Sequence, residues 1–382
     1  MVNMYTIAAL AVSSFIGSAV AHPGDSAEVK AHERSLHNYA QAEARRAIAA
    51  CAVSTNAAAL KARSVARRAA TAERLREKRG LSDKRMKSKR DQADLEKYLD
   101  ISHDNSELGY TLDTPLDVIF DSNATAALVP EVTIGPYWVA GELIRTDLTD
   151  SQAGVPLHLD LQFIDVNTCE AIPNMLIDIW HCNATGVYSG ISSMGQGGLN
   201  TIHGRGIQPT DEDGVTQFDT VFPGHYTGRT PHIHLMSTEN ATVLPNNTYL
   251  TDGKPNHIGQ LFFDQSLINA VELLEPYSTN TQPLTLNEDD GIDAQTSTPE
   301  YDPFADYVLL GDSLQDGLLA YLTVFVDTTA NQTAYAHAAA HYYEGGGVAN
   351  PGGPGGPGGP GGPGGPNGTF PPFPPPSGTP AP

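Results

Sequence analysis

Two histidines on one short segment are the first residues of this chain that could do metal chemistry. They occur in the sequence Pro231-His232-Ile233-His234. Because side chains alternate between the two faces of a β-strand, a strand here places both imidazoles on one face and Ile233 on the other. Two imidazoles on one face can share a metal ion. A pair at this spacing also arises by coincidence on protein surfaces, so on its own it predicts a metal site only weakly.

Two tyrosines strengthen this prediction. Tyr226 lies just upstream, after the turn residues Pro223 and Gly224, which can return it to the edge that carries the histidines. Tyr188 lies in a loop that follows the apolar segment ending at Trp180. The alternative is that both are ordinary half-buried tyrosines. We interpret the remaining histidines of this region as structural: His181, His203 and His225.

The elements that must position these residues are predicted to be strands. Apolar residues alternate with polar ones at Leu157, Leu159, Leu161 and Phe163, and again at Leu322, Val324 and Val326. Further strands are predicted over 175–180 and 215–222, and clusters of Gly, Pro, Asn and Asp separate the segments. Long amphipathic helices are not apparent in this part of the sequence. The pattern favours a single all-β sandwich over residues 101–344.

The sequence resembles a known family, the intradiol ring-cleaving dioxygenases, and most of all their secreted fungal-type members. The resemblance covers most of residues 130–330 and depends on four motifs in the family's order. These are Gly135-Pro136-Tyr137-Trp138, Ile179-Trp180-His181-x-Asn183-x-x-Gly186-x-Tyr188-Ser189, Pro223-Gly224-His225-Tyr226 and Arg229-x-x-His232-Ile233-His234.

The resemblance implies a non-haem Fe(III) cofactor. Its ligands would be the tyrosinates of Tyr188 and Tyr226 and the imidazoles of His232 and His234. The physical chemistry agrees, because phenolate is a hard, strongly donating anion and a trivalent cation lowers the phenol pKa from about 10.

The implied activity is cleavage of a catechol-type ring between its two hydroxylated carbons, with O2 as co-substrate and a muconate-type diacid as product. Tyr226 would also accept a substrate proton. Arg229 would stabilise negative charge on the ring, and Gln260 would orient the substrate or a tyrosinate. The alternatives are a structural ion pair for Arg229 and a strand-edge glutamine for Gln260. Tyr137 and Trp138 are predicted to line the pocket, although core packing explains them equally well.

Charge divides the chain into three parts. Of the 22 Lys and Arg residues, 18 lie within residues 1–100, whereas residues 101–382 carry only 4 against 33 Asp and Glu. Such an acidic body repels phosphate, so nucleic acid is excluded as a natural partner. Residues 345–382, with repeated Pro-Gly-Gly, are predicted to form a disordered tail.

The N-terminus predicts secretion, outside the cell or at the cell wall. Residues 1–21 have the apolar run and the Ala19-Val20-Ala21 ending of a signal peptide, and no stretch is long enough to span a membrane. Sequons fit a secreted glycoprotein at Asn123, Asn240, Asn246, Asn331 and Asn367. A sixth sequon, Asn183, lies inside a motif, and we predict that it carries no glycan.

Residues 22–100 form a basic, Ala-rich head that favours helix and contains few large apolar residues. Its basic pairs suggest a removable pro-segment, and a solvated helix is the equal alternative. Cleavage after Ala21 would expose His22, whose amine and ring could bind copper, as in secreted copper oxygenases. A non-catalytic β-sandwich that binds aromatics or wall polymers is the other competing function. The oligomeric state stays open.

Three cysteines exclude a disulfide framework. Cys169 and Cys182 flank a predicted strand, and the sequence predicts a disulfide between them. Cys51 would then leave with the head, pair with another chain or displace one of the two.

Overall fold

The computed structural model describes residues 51, 54–81, 134–290, 303–343 and 345–352. The strands are β1 (Val139–Ala140), β2 (Pro156–Asp165), β3 (Leu176–Trp180), β4 (Arg205–Pro209), β5 (Val215–Val221), β6 (His232–Glu239), β7 (Lys254–Phe262), β8 (Asp306–Leu309), β9 (Leu318–Val326), β10 (Ala340–Tyr343) and β11 (Gly346–Ala349). The helices are α1 (Thr55–Lys78) and α2 (Gln265–Glu272), and 3-10 turns lie at Tyr277–Thr279, Asn287–Asp289 and Leu314–Asp316.

Two four-stranded sheets pack face to face. The strand order is β5-β2-β9-β8 in the first sheet and β4-β3-β6-β7 in the second. Neighbouring strands are antiparallel except for β2 and β9, which run parallel. The main core lies between the sheets, where Leu159 of β2 and Ile233 of β6 are fully buried. The prediction of an all-β sandwich is confirmed.

A third layer covers the outer face of the second sheet. It includes the small sheet β1-β10-β11. Because Ile233 and Leu235 point into the main core, the alternate residues His232, His234 and Met236 of β6 face this outer layer. Met236 packs there with Trp180. The outer face of the second sheet therefore carries the predicted metal ligands.

Helix α1 covers the outer face of the first sheet. Ser54 caps its first turn by accepting a hydrogen bond from the Ala57 amide at 3.0 Å. Val65 and Leu75 pack on Leu319 and Tyr321 of β9. Burying an apolar side chain of this kind contributes about 1.5–3 kcal/mol. A few apolar residues are thus enough to attach α1 to the first sheet, because each one on this face of the helix is in contact with the sheet.

The predicted start of the tail at residue 345 is wrong. Gly346–Ala349 pair with β10 as an antiparallel strand. A side chain at Gly347 would lie 2.3 Å from the Leu199 carbonyl oxygen. Glycine is therefore required there by close packing, and it does not indicate a spacer.

The disulfide expected between Cys169 and Cys182 is not formed, and the alternative that Cys51 displaces one of the two is correct. Cys169 is bonded to Cys51, with the two Cα atoms 5.1 Å apart. Cys182 is buried, its thiol donates to the Gly224 carbonyl at 3.2 Å, and burial raises its pKa to about 12.

We expect peptide mapping of the purified protein, without reduction, to recover a peptide pair joined through Cys51 and Cys169. Cys182 should react with an alkylating reagent only after denaturation, because its thiol is buried and protonated. Recovery of the linked pair would also show that at least this part of the head stays with the mature protein. A peptide joined through Cys169 and Cys182 would contradict the assignment.

Several predicted features lie outside the described residues: the signal peptide 1–21, His22, Asn123 and Asn367. Within the described residues, no helix has the length and apolar character needed to cross a membrane.

Candidate active site

The histidine pair lies at the start of β6, buried on the face that points away from the main core. The Nε2 atoms of His232 and His234 are 3.1 Å apart. His232 Nδ1 lies 2.6 Å from the Thr230 carbonyl oxygen. That carbonyl can only accept a hydrogen bond, so Nδ1 carries the proton and the Nε2 lone pair is free to bind a cation.

His234 is held in position from two sides. Its ring is stacked on Trp180, with centroids 4.9 Å apart and planes 2° from parallel. On the other side, a side chain at Gly135 would lie 3.1 Å from His234 Cε1, and Gly135 has a φ of +72°. Gln260 of β7 is the register partner of His234. The first residue of the first motif is thus a glycine because the imidazole lies directly against its backbone.

Both predicted tyrosines come to this pair. The Tyr188 and Tyr226 ring centroids are 5.6 Å apart, and they lie 6.4 Å from His234 and 5.7 Å from His232, respectively. The Tyr188 ring is fully buried, and its hydroxyl has no hydrogen-bond partner among the described residues. Desolvation raises the pKa of Tyr188 well above 10 and also raises that of Tyr226.

These four side chains fit a hard cation. The 3.1 Å between the two Nε2 atoms is close to the separation of about 3 Å expected for nitrogens bonded at right angles to one cation at about 2.1 Å. Burial is the main cause that holds the pKa of both imidazoles well below 6.5. The charge of Arg229 lowers the pKa of His232 further, and the neighbouring His232 ring lowers that of His234. Both rings are therefore neutral and able to act as ligands. The unpartnered Tyr188 hydroxyl completes a donor set that would be stabilised by bound metal.

Arg229 and Gln260 lie together beside this group. A tight turn with Gly228 at φ +87° joins Tyr226 to Arg229, whose amide lies 3.2 Å from the Tyr226 carbonyl. The Arg229 guanidinium donates to Gln260 Oε1 at 2.6 Å and to Asp290 Oδ2 at 2.8 Å. Arg229 thus lies at the site, as the first interpretation predicts, and it also forms an ion pair, as the alternative predicts.

The two aromatic residues of the first motif differ in their surroundings. The Tyr137 ring lies 4.6 Å from the Tyr188 ring and 6.2 Å from the Tyr226 ring, centroid to centroid. Trp138 is buried and its indole N–H donates to Asp178 at 2.8 Å. Tyr137 is therefore the one that touches the predicted ligands, and Trp138 anchors the segment.

The histidines interpreted as structural all have protein partners. His181 contacts the Cys182 carbonyl at 2.8 Å, His203 the Val187 carbonyl at 3.3 Å and His225 the Glu272 carboxylate at 2.8 Å. They hold the loops around Tyr188 and Tyr226 in place.

Sequence reasoning missed Arg205, the first residue of β4. Its Nε donates to the Ser189 carbonyl at 3.0 Å and to the Ser189 hydroxyl at 2.9 Å. Its guanidinium carbon lies 5.8 Å from the centre of the Tyr188 ring, and Glu142 forms an ion pair with it at 3.2 Å. Arg205 therefore fixes the loop that carries Tyr188. It is one of four Lys and Arg residues after residue 100, a rarity that it shares with Arg229.

Both ends of the Asn183 side-chain amide make hydrogen bonds inside the Tyr188 loop. Its Nδ2 donates to Gln152 at 3.0 Å, and its Oδ1 accepts from the amides of Thr185 and Val187. A glycan on Nδ2 would break the contact with Gln152 and crowd this loop. We therefore expect no glycan at Asn183.

Glycopeptide mass spectrometry of the protein expressed in a eukaryotic host tests this expectation. The exposed sequons at Asn240, Asn246 and Asn331 provide the internal comparison, because their side chains are accessible to the glycosyltransferase. Full occupancy at Asn183 would show that the contacts of its amide do not protect it.

Comparison with known proteins agrees with this site. Residues 134–262 match the family model Dioxygenase_C, described as dioxygenase. No curated protein sequence matches the chain significantly.

Solved structures of ring-cleaving dioxygenases resemble the chain. An intradiol ring-cleavage dioxygenase from Tetranychus urticae is 29% identical over 56% of this chain and 96% of that one, with a TM-score of 0.43. Catechol 1,2-dioxygenase from Pseudomonas arvilla C-1 is 16% identical over 55% and 67%, with a TM-score of 0.35. Hydroxyquinol 1,2-dioxygenase from Pseudomonas putida DLL-E4 is 15% identical over 56% and 71%, with a TM-score of 0.34.

The matched residues 134–262 contain all four motifs, both tyrosines, both histidines, Arg229 and Gln260. The candidate site therefore lies within the part of the chain that matches a dioxygenase family model.

Proposed function

We propose that this protein is a secreted non-haem Fe(III) enzyme that cleaves catechol-type diols between the hydroxylated carbons, consuming O2 and releasing muconate-type diacids. The observation that carries the proposal is the convergence of two neutral imidazoles and two phenols on one buried face, with the Tyr188 hydroxyl unpartnered among the described residues. Tyr188, Tyr226, His232 and His234 would hold the iron. Fe(III), when bound, withdraws electron density from the diolate and makes the ring reactive toward O2.

Tyr226 is suited to take a proton from the substrate. Its environment raises the phenol pKa, mainly by desolvation, so a free phenolate at this position is a strong base. Tyr226 is also the more accessible of the two tyrosines. A catechol hydroxyl that approaches it would give up its proton to Tyr226 Oη and become a better ligand.

Arg229 would stabilise the anion that this proton transfer creates. Its guanidinium is held in one orientation by Gln260 and Asp290, so little reorganisation is needed when charge develops on the ring. Its side chain stays partly exposed, at 16% of its surface, which leaves room for contact with a substrate.

The turn between Tyr226 and Arg229 supports a broad choice of diol. Only Thr227 and Gly228 separate them, both are exposed, and a side chain at Gly228 would meet nothing within 4 Å. Substituted or larger catechols, including hydroxyquinol-like and lignin-derived diols, are therefore the proposed substrates.

The disulfide between Cys51 and Cys169 supports the proposed secretion, because such bonds persist mainly in oxidising compartments. The exposed sequons are consistent with passage through the secretory pathway.

The test is to load the purified protein with iron and measure its visible spectrum and oxygen uptake. Tyrosinate-to-Fe(III) charge transfer should make it wine-red, and a panel of catechols should show uptake with diacid products of intradiol cleavage. A red protein that consumes no O2 with any diol would favour the non-catalytic alternative. A colourless, iron-free protein after loading would overturn the proposal.

A further inference from the structure

A buried acid outside the matched family region contacts the site. Asp290 follows the 3-10 turn Asn287–Asp289 and has no exposed surface. Its Oδ2 accepts from Arg229 Nε at 2.8 Å and from the Thr230 amide at 2.8 Å. One carboxylate oxygen thus contacts two consecutive residues of the segment that leads into β6.

Asn287, on the same turn, makes the neighbouring contact. Its Oδ1 accepts from the Thr230 hydroxyl at 2.6 Å. Asn287 is itself anchored, since its amide donates to Gln265 at 2.8 Å and its Nδ2 donates to the Phe263 carbonyl at 2.9 Å. Phe263 directly follows β7 and Gln265 begins α2, so the turn is fixed to regular structure.

These contacts reach two functional groups at once. Thr230 is held by Asp290 through its amide and by Asn287 through its hydroxyl, and the carbonyl of Thr230 receives the His232 Nδ1 proton. Arg229 is held by Asp290 on one nitrogen and by Gln260 on another, which fixes the plane of the guanidinium. The orientation of the cation and that of the imidazole therefore depend on the same short turn.

We propose that Asp290 and Asn287 act as positioning residues, Asp290 aiming Arg229 at the substrate and both residues orienting His232 through Thr230. This inference rests on the proposed function. The competing explanation is that the ion pair of Arg229 and Asp290 only holds the loop in place.

Asp290→Asn is the informative change, because the new amide oxygen can still accept from the Thr230 amide while the charged partner of Arg229 is lost. We expect kcat to fall about 10- to 100-fold, as for other supporting contacts, and KM to change by less than about threefold. In an Arg229→Gln background the same change should lower kcat by less than about threefold, because Asp290 acts through Arg229. Asp289→Asn is the matched control: it removes the same charge one residue earlier, at an exposed position, and should leave kcat unchanged.

Thr230→Val tests the histidine contact without altering charge, and serves if Asp290→Asn does not fold. Losing the hydroxyl bond to Asn287 should shift the visible charge-transfer maximum of the iron-loaded protein, since His232 loses part of its support. An unmoved maximum would overturn the histidine part of the proposal. Equal effects of Asp290→Asn with and without Arg229, or full activity of a folded Asp290→Asn protein, would overturn the arginine part.

The wild-type spectrum separates this inference from the function on which it rests. If the iron-loaded wild type shows no charge-transfer band, the proposed function fails and the inference fails with it. If the band and the activity are present but the variants behave additively, the inference alone is wrong.

Discussion

Replacing Tyr188 with phenylalanine is expected to weaken and shift the iron charge-transfer band, leaving only the contribution of Tyr226, and to lower kcat by more than the roughly 100-fold that loss of a supporting contact causes. The hydroxyl that is lost has no hydrogen-bond partner among the described residues, and its ring is fully buried. A bound cation is what would hold this desolvated phenol as an anion, because burial alone raises its pKa. The measurements are iron content, the visible spectrum and oxygen uptake with catechol.

The same substitution should leave the fold unharmed. Removing a buried hydroxyl that makes no hydrogen bond is neutral or slightly stabilising, so the melting temperature of the iron-free protein should not fall. Loss of activity would then be due to the missing ligand and not to unfolding.

Tyr277→Phe is the matched control. Tyr277 is also fully buried, but its hydroxyl donates to the Phe222 carbonyl at 2.7 Å and accepts from the Val155 amide at 3.0 Å. This variant should lose about 1–3 kcal/mol of unfolding free energy and keep its colour. If Tyr188→Phe keeps the wild-type charge-transfer band and full activity, Tyr188 is not a ligand.

The sequence was sufficient for those parts of the site that lie close together along the chain. His232 and His234 are two residues apart on one strand, and a two-residue turn separates Tyr226 from Arg229, so local geometry brings these four together. Tyr188 is brought to them because β3 pairs with β6.

The contacts that hold the site residues in position could not be predicted, because they join segments that are distant along the chain. Asp290 lies 61 residues from Arg229, and Arg205 lies 63 residues from Glu142. Neither acid belongs to a motif, and any of the many carboxylates in this acidic body could have been the partner. Arg205 itself could have been found by its rarity.

The outer face of the first sheet shows the same limit. Alternation places His158, Asp160 and Gln162 of β2 away from the main core, on a face that is often solvated in sheets of this kind. Helix α1 covers this face, and all three side chains are buried. A Cys51–Cys169 bond across 118 residues is invisible to pattern reasoning for the same reason.

Removing the two arginines of α1 that contact Asp160 is expected to destabilise the protein by about 3–5 kcal/mol, because it leaves a buried carboxylate uncompensated. Arg67 donates to Asp160 at 2.8 and 2.9 Å, and Arg68 donates to it at 3.1 Å. Asp160 has no exposed surface. Arg67→Ala/Arg68→Ala should therefore lower the midpoint of urea unfolding, and adding Asp160→Asn should restore much of the loss.

The acid side of the stability curve gives an independent measurement. Burial alone raises the pKa of Asp160, but the hydrogen bonds and charges of Arg67 and Arg68 outweigh it and hold the pKa below its usual value near 4. A depressed folded-state pKa contributes stability that is complete above the unfolded-state pKa and is lost as the pH falls below it. The wild type should thus lose stability below about pH 5 more steeply than Asp160→Asn.

Arg63 on the same helix provides the control. It pairs with Asp213 at 2.8 Å, but 51% of its side chain is exposed, so Arg63→Ala should change the unfolding free energy by less than about 1 kcal/mol. A similar small effect of the double arginine variant would mean that α1 is only loosely attached and that the head could leave without consequence. A large effect would mean that α1 stabilises the sandwich even in a protein cleaved after residue 81. The Cys51–Cys169 bond would keep α1 attached to such a protein.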